Sequence, residues 1–158
     1  MEDWLRLLSD WPVAAAIRQS ATLYPLVNAA HILSFGTVLG AILTLDLRLL
    51  GLFRRYPLAA LGPPLSRVAG AGLALAVLTG FLLFSTRPAA YVENPAFLAK
   101  LVLVGLGVLN ALALRAGRSW RAALDGGPVS GRLRLAALAS LLIWIGAVVA
   151  GRWIGFLQ

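Results

Sequence analysis

Residues 23–45 read LYPLVNAAHILSFGTVLGAILTL, and this run decides the architecture. It is as long as the ~20 apolar residues a helix needs to cross the ~30 Å hydrocarbon core of a bilayer. Three more runs of the same kind follow: Val68–Phe84, Ala96–Leu114 and Leu135–Ala150. A bilayer core offers no water to unpaired backbone groups, so such runs cross it as helices. The connections between them are short, which makes successive spans antiparallel neighbours. The expected fold is all-α. It is an integral-membrane, up-down bundle of four transmembrane helices (residues 21–158) preceded by an interfacial amphipathic N-terminal segment (residues 1–20).

Composition supports the same reading. The chain is 60% hydrophobic and only 13% charged, with a mean hydropathy of +0.86. A soluble domain of 158 residues could not enclose that much apolar surface in one core. There are no cysteines, which excludes disulfides and thiolate metal sites. The net charge of +8 would suggest nucleic acid in a soluble protein. Here the charge is concentrated in two connections instead. Arg48, Arg54, Arg55 and Arg67 flank the first, and Arg115, Arg118, Arg121, Arg132 and Arg134 flank the third. In a four-span bundle these lie on one side, which the positive-inside rule places in the cytoplasm. The expected setting is the bacterial inner membrane with both termini on the periplasmic side, the lipid bilayer as the main partner and no nucleic acid. Met1-Glu2-Asp3 is acidic where the start of a signal peptide is basic, so the first span is expected to serve as an uncleaved anchor.

Within residues 1–20, Trp4, Leu5, Leu8 and Trp11 recur at near-helical spacing among polar residues, the pattern of a helix lying in the headgroup layer. Asp10 before Trp11-Pro12 reads as an N-cap with proline in the first helical turn. In the first connection, Tyr56-Pro57 and Gly62-Pro63-Pro64 are expected to break any continuous helix. Asn94-Pro95 reads as the cap and first residue of the third span, and Asp125-Gly126-Gly127-Pro128 as a turn. Gly36 and Gly40 form a GxxxG pair, and further glycines occur at 70, 72, 105, 107, 146 and 151. Small residues let helix backbones approach in lipid, within the bundle or between copies. A homo-oligomer or a partner membrane subunit is therefore expected.

Ionisable residues inside spans are costly and carry the functional information. Tyr24, Asn28, His31, Phe35, Ile42 and Asp46 fall on one stripe of the first helix at 100° per residue. His31 and Asp46 lie roughly 22 Å apart along it, near opposite membrane faces. Placing the other spans antiparallel brings Lys100 and Arg152 to the depth of Asn28 and His31 as an outer polar tier. Asp46, Asn110, Arg48 and Arg115 form an inner tier, in which Asp46 is expected to pair with an arginine. His31 is the sole histidine. A neutral imidazole can ligate haem iron, hydrogen-bond a quinone carbonyl, carry a proton, or bond across helices. The candidate cofactor site is thus His31, Asn28, Lys100 and Arg152, with His31 as the metal ligand. The cofactor is haem b or, alternatively, a quinone, and Lys100 and Arg152 would face an anionic headgroup such as haem propionates. No catalytic residues are assigned. There is no Walker motif, no HExxH and no GxGxxG, and Asp46 is too far from His31 for a Ser-His-Asp triad. Copper is disfavoured because soft ligands are missing: one histidine, no cysteine and only Met1.

Three stretches resemble an uncharacterised family of small four-helix bacterial inner-membrane proteins. They are Tyr24-Pro25-Leu26-Val27-Asn28-Ala29-Ala30-His31 continuing to Asp46-Leu47-Arg48-Leu49-Leu50-Gly51; Asn94-Pro95-Ala96-Phe97 with Lys100 and Asn110; and Trp144-Ile145-Gly146 through Gly151-Arg152-Trp153-Ile154. The last is also distantly similar to the membrane domains of copper-resistance proteins. The resemblance transfers no activity. The expected function is a small redox-associated protein of electron transport, binding haem b or quinone near the outer face through His31. The alternatives are a cofactor-free structural or assembly subunit, or a small transporter.

Overall fold

The computed structural model describes residues 2–157, and Met1 and Gln158, the outer limits of the two expected segments, lie outside them. The chain is all-helical: α1 (Glu2–Ser9), α2 (Pro12–Gln19), α3 (Leu23–Leu50), α4 (Leu58–Thr86), α5 (Pro88–Glu93), α6 (Pro95–Ala116), α7 (Arg118–Leu124) and α8 (Gly131–Trp153), ending in a 3₁₀ turn at Ile154–Phe156. The four long helices, α3, α4, α6 and α8, are each apolar and long enough to cross a membrane. Their outward faces carry large apolar side chains, such as Leu33 at 72% and Leu142 at 66% exposure. Water would not tolerate so continuous an apolar coat. This is a multi-pass membrane protein.

The spans run further than their apolar cores. α3 has 28 residues, about 42 Å at ~1.5 Å per residue, so its arginine end projects past the hydrocarbon. It stops at Gly51, whose φ of +114° is open to glycine and strained for other residues. Gly51 N donates to Arg48 O and Leu52 N to Leu47 O, the paired bonds of a Schellman cap. α4 corrects one expectation, because it starts at Leu58 and runs through Pro63 and Pro64. The carbonyls those prolines leave without donors belong to Ala59 and Ala60, which are exposed and can be solvated. The adjoining Gly62 is buried against Trp120 and Leu124 of α7, which holds the helix start in place. Asn94 caps α6 as expected, its Oδ1 accepting from Ala96 N and Phe97 N. For α2 the cap is Trp11 rather than Asp10, with Pro12 in the first turn.

α3 is the central span. It lies against α4 over its longest interface and against α8, and α6 lies against α8. Among the described residues the backbone of α6 meets neither α3 nor α4. Glycines set the close approaches. A Cβ on Gly72 would stand 3.1 Å from Ser34 O of α3, and one on Gly107 only 2.8 Å from the Trp144 ring of α8. Gly36 and Gly40, in contrast, have nothing within 4 Å and face outward, so they do not serve packing inside the bundle. At the arginine-rich end, Leu45, Leu49, Leu58, Trp120, Ala123, Leu133 and Ala137 form the apolar core. At the other end, α2 buries Ala14 and Ile17 against the bundle, while Trp4 and Leu7 stay exposed. Arg18 ties this segment down by donating to Ser9 O, Ser9 Oγ and Thr86 O.

Candidate functional site

The antiparallel order of the spans brings three polar side chains to one depth, in the half of the bundle that carries both termini. His31 comes from early α3, Thr79 from late α4 and Lys100 from early α6. Their hydrogen bonds run in one direction. Thr79 Oγ1 donates to Leu75 O at 2.7 Å, a return bond within its own helix. A hydroxyl has one hydrogen, so toward His31 Nδ1, 3.0 Å away, Thr79 Oγ1 accepts. His31 therefore carries its hydrogen on Nδ1 and presents a lone pair at Nε2. That lone pair faces Lys100 Nζ at 3.2 Å, and the ammonium donates to it. The chain is Lys100 to His31 to Thr79 to the Leu75 carbonyl.

Small residues make room for it. Gly80 lies beside the imidazole, where a Cβ would come within 3.0 Å of Cε1, and Gly151 of α8 lies beside the Lys100 stem. The Lys100 ammonium also stands 5.2 Å over the Phe35 ring, a cation–π contact. Phe35 in turn meets Trp144 at 6.0 Å. Asn94 fixes this end of α6 to the end of α8 through Nδ2 donating to Ile154 O. The sequence reading singled out His31 and Lys100, and the structure joins them directly. Asn28 and Arg152 are on the exposed surface, Arg152 over the Phe156 ring. Gly151 is among the glycines expected at close helix approaches, whereas nothing singles out Thr79 and Gly80 in the sequence. Their only trace there is a hydroxyl and a small residue at the matching depth of antiparallel spans.

The inner tier differs from expectation. Asp46 is buried at 4% exposure. Its polar neighbour is the Ser140 hydroxyl of α8, and Oδ2 has no partner among the described residues. Arg48 turns away and donates through Nε to Tyr56 O. Residues two apart on a helix point to different sides, so the adjacency of Asp46 and Arg48 in sequence makes no pair. Asn110 is spent on Ala136 O of α8. A buried carboxylate oxygen without a donor destabilises, by roughly 1–3 kcal/mol. Asp46→Asn keeps the shape and can still accept from Ser140. It should hold or raise the melting temperature in detergent, by the equivalent of about 1 kcal/mol. A clear fall would mean that the carboxylate has a cationic partner after all.

Among the described residues no cluster of three or more His, Cys, Asp or Glu side chains could hold a metal ion. A family model described as a family of unknown function, DUF6644, matches residues 21–157, and the chain belongs to that family. No curated protein and no solved structure matches it.

Proposed function

We propose that this member of a family without an assigned activity is a small redox-associated membrane protein that binds a quinone headgroup at the Lys100–His31 pair. The observation that supports this most is the position of the Lys100 ammonium. It sits inside the apolar zone, beside an aromatic ring, and its hydrogen-bond acceptor is a neutral imidazole nitrogen rather than a carboxylate. An ammonium in a poorly solvated site has spare donors, and a quinone carbonyl oxygen suits them. The ring of such a ligand would lie near Phe35. A lipophilic ligand would come laterally from the bilayer, where side chains rather than backbones close the space between α4 and α6.

Haem b is the other cofactor a lone histidine allows, but iron needs a free imidazole nitrogen. Both ring nitrogens of His31 are engaged, so iron ligation would first have to break the Lys100 bond. The same double engagement favours a second reading, in which His31 and Lys100 clamp α6 to α3 in a cofactor-free structural or assembly subunit. In either reading the arginine-rich end faces the cytoplasm and both termini face outward, as the positive-inside rule implies.

The test is purification from the native membrane, followed by solvent extraction and an absorbance spectrum. Quinone should co-purify and no Soret band should appear. Lys100→Met, which keeps the stem and removes the donors, should cut the bound quinone about tenfold, the equivalent of one charged hydrogen bond. A Soret band abolished by His31→Ala would replace quinone with haem. A folded protein with neither would leave the structural clamp as the function.

A further inference from the structure

The arginine-rich end holds a concave space of about 290 Å³ lined by Arg48, Arg54, Arg134, Gly51, Pro128 and Val129, among others. We propose that this cavity is a binding site for a phosphate group, with the Arg48, Arg54 and Arg134 guanidiniums as its donors.

The three arginines come from three separate pieces of chain: the last turn of α3, the first connection and the first turn of α8. Solvated like charges spread apart, yet here the fold turns three of them to one space whose lining includes no acidic residue. One of them is held in place by local structure. Arg48 Nε donates to Tyr56 O at 2.8 Å, which fixes the plane of the guanidinium and leaves its Nη groups for a ligand. Arg54 folds back over Gly51, where a Cβ would stand 2.6 Å from Nη2. The φ of +114° at Gly51 disfavours any side chain there, which leaves that approach open.

Both of these arginines also sit at the negative end of the α3 dipole, which gives them a structural role besides. Arg134 has none of that kind. It lies near the positive end of α8, whose first turn holds no acidic residue. A cation there is disfavoured by the helix dipole and repelled by the other two, unless an anion joins them. Planar guanidiniums in a fork match phosphate oxygens with paired hydrogen bonds. The cavity is at the small end of ligand sites, which run from ~300 Å³ upward, so it suits a headgroup or a free phosphate more than a large cofactor. The depth, at the boundary where the spans leave the hydrocarbon, is that of lipid phosphates.

The phosphate can come from an acidic phospholipid or from solution, and the experiment separates the two. The full chain is held in a phosphate-free maltoside detergent alone, with added phosphatidylglycerol, and with added inorganic phosphate, and thermal unfolding is followed. Unfolding at a higher temperature with phosphatidylglycerol only assigns the site to lipid. A rise with inorganic phosphate as well assigns it to soluble phosphate. Lipid or phosphate affinity is then compared in Arg54→Gln, Arg134→Gln and Arg121→Gln. All three arginines are exposed, so the core is untouched, and Arg121 does not line the cavity. The first two should weaken binding about tenfold and the third should not. Equal weakening by all three would reduce the effect to diffuse attraction and overturn the site. So would the absence of any rise with either probe.

Discussion

Trp144→Ala should lower the stability of the folded bundle by about 3 kcal/mol, the largest effect of any single truncation in the chain. Trp144 is 1% exposed and is the largest fully buried side chain. It lies between Phe35 of α3 and the bare backbone of α6 at Gly107. In a bilayer the unfolded reference state is already out of water, so lost transfer from water contributes little. What remains is lost packing, and a cavity costs about 24 cal/mol per Å³ where the neighbours do not collapse. The partner prediction is that Gly107→Ala costs about 1–3 kcal/mol by overpacking. The new Cβ would meet Trp144 Cε2, Cζ2 and Nε1 at 2.8–3.1 Å. These atoms lie on the edge that phenylalanine lacks. In a Trp144→Phe background, itself mild because it also removes a buried Nε1 that has no acceptor among the described residues, Gly107→Ala should become nearly neutral. Denaturant titration in detergent gives the four stabilities. Strict additivity would show that the two residues do not meet.

His31→Ala should destabilise the ligand-free protein more than Lys100→Met does, although lysine carries the charge. Removing the imidazole leaves an ammonium in the apolar zone without its acceptor, a loss of roughly 2–3 kcal/mol. It also leaves space beside Gly80. Removing the ammonium leaves a neutral lone pair unpaired, which costs about 1 kcal/mol. The methylene stem along Gly151 survives in methionine. Combining the two should cost less than their sum, with a coupling of about 1–2 kcal/mol. If Lys100→Met proves the more damaging, the ammonium has acceptors beyond His31 and the polar chain ends differently.

Much of the architecture was legible because a bilayer imposes a length and a composition on any helix that crosses it. The four runs, the glycine-126 turn and the Asn94 cap of α6 could be read from adjacent residues alone. The boundaries were not. Helices continue past the hydrocarbon wherever the backbone is satisfied, which is how α4 comes to hold Pro63 and Pro64 and α3 to extend to Gly51. The inward stripe of α3 was read slightly to one side. The buried residues are Ser34, Val38, Ala41, Leu45, Asp46 and Leu49, with His31 half-buried beside them, while Tyr24 and Asn28 face outward. At 100° per residue a stripe of polar residues can be drawn on a helix, but the neighbours decide which stripe is covered.

The sequence by itself determined that this is a four-span membrane bundle, which end carries the arginines, and that His31 and Lys100 share a depth. Those facts follow from hydropathy, helix rise and alternating direction, which are properties of each segment. Only the tertiary structure decided who meets whom. Lys100 reaches His31 although the backbones of α6 and α3 do not touch. Asp46 turns to Ser140 and not to Arg48, and Gly107 rather than Gly40 admits a tryptophan. Pairing depends on the rotation of each helix about its axis, and that rotation is set by the sum of contacts from all the spans at once, which no single span encodes.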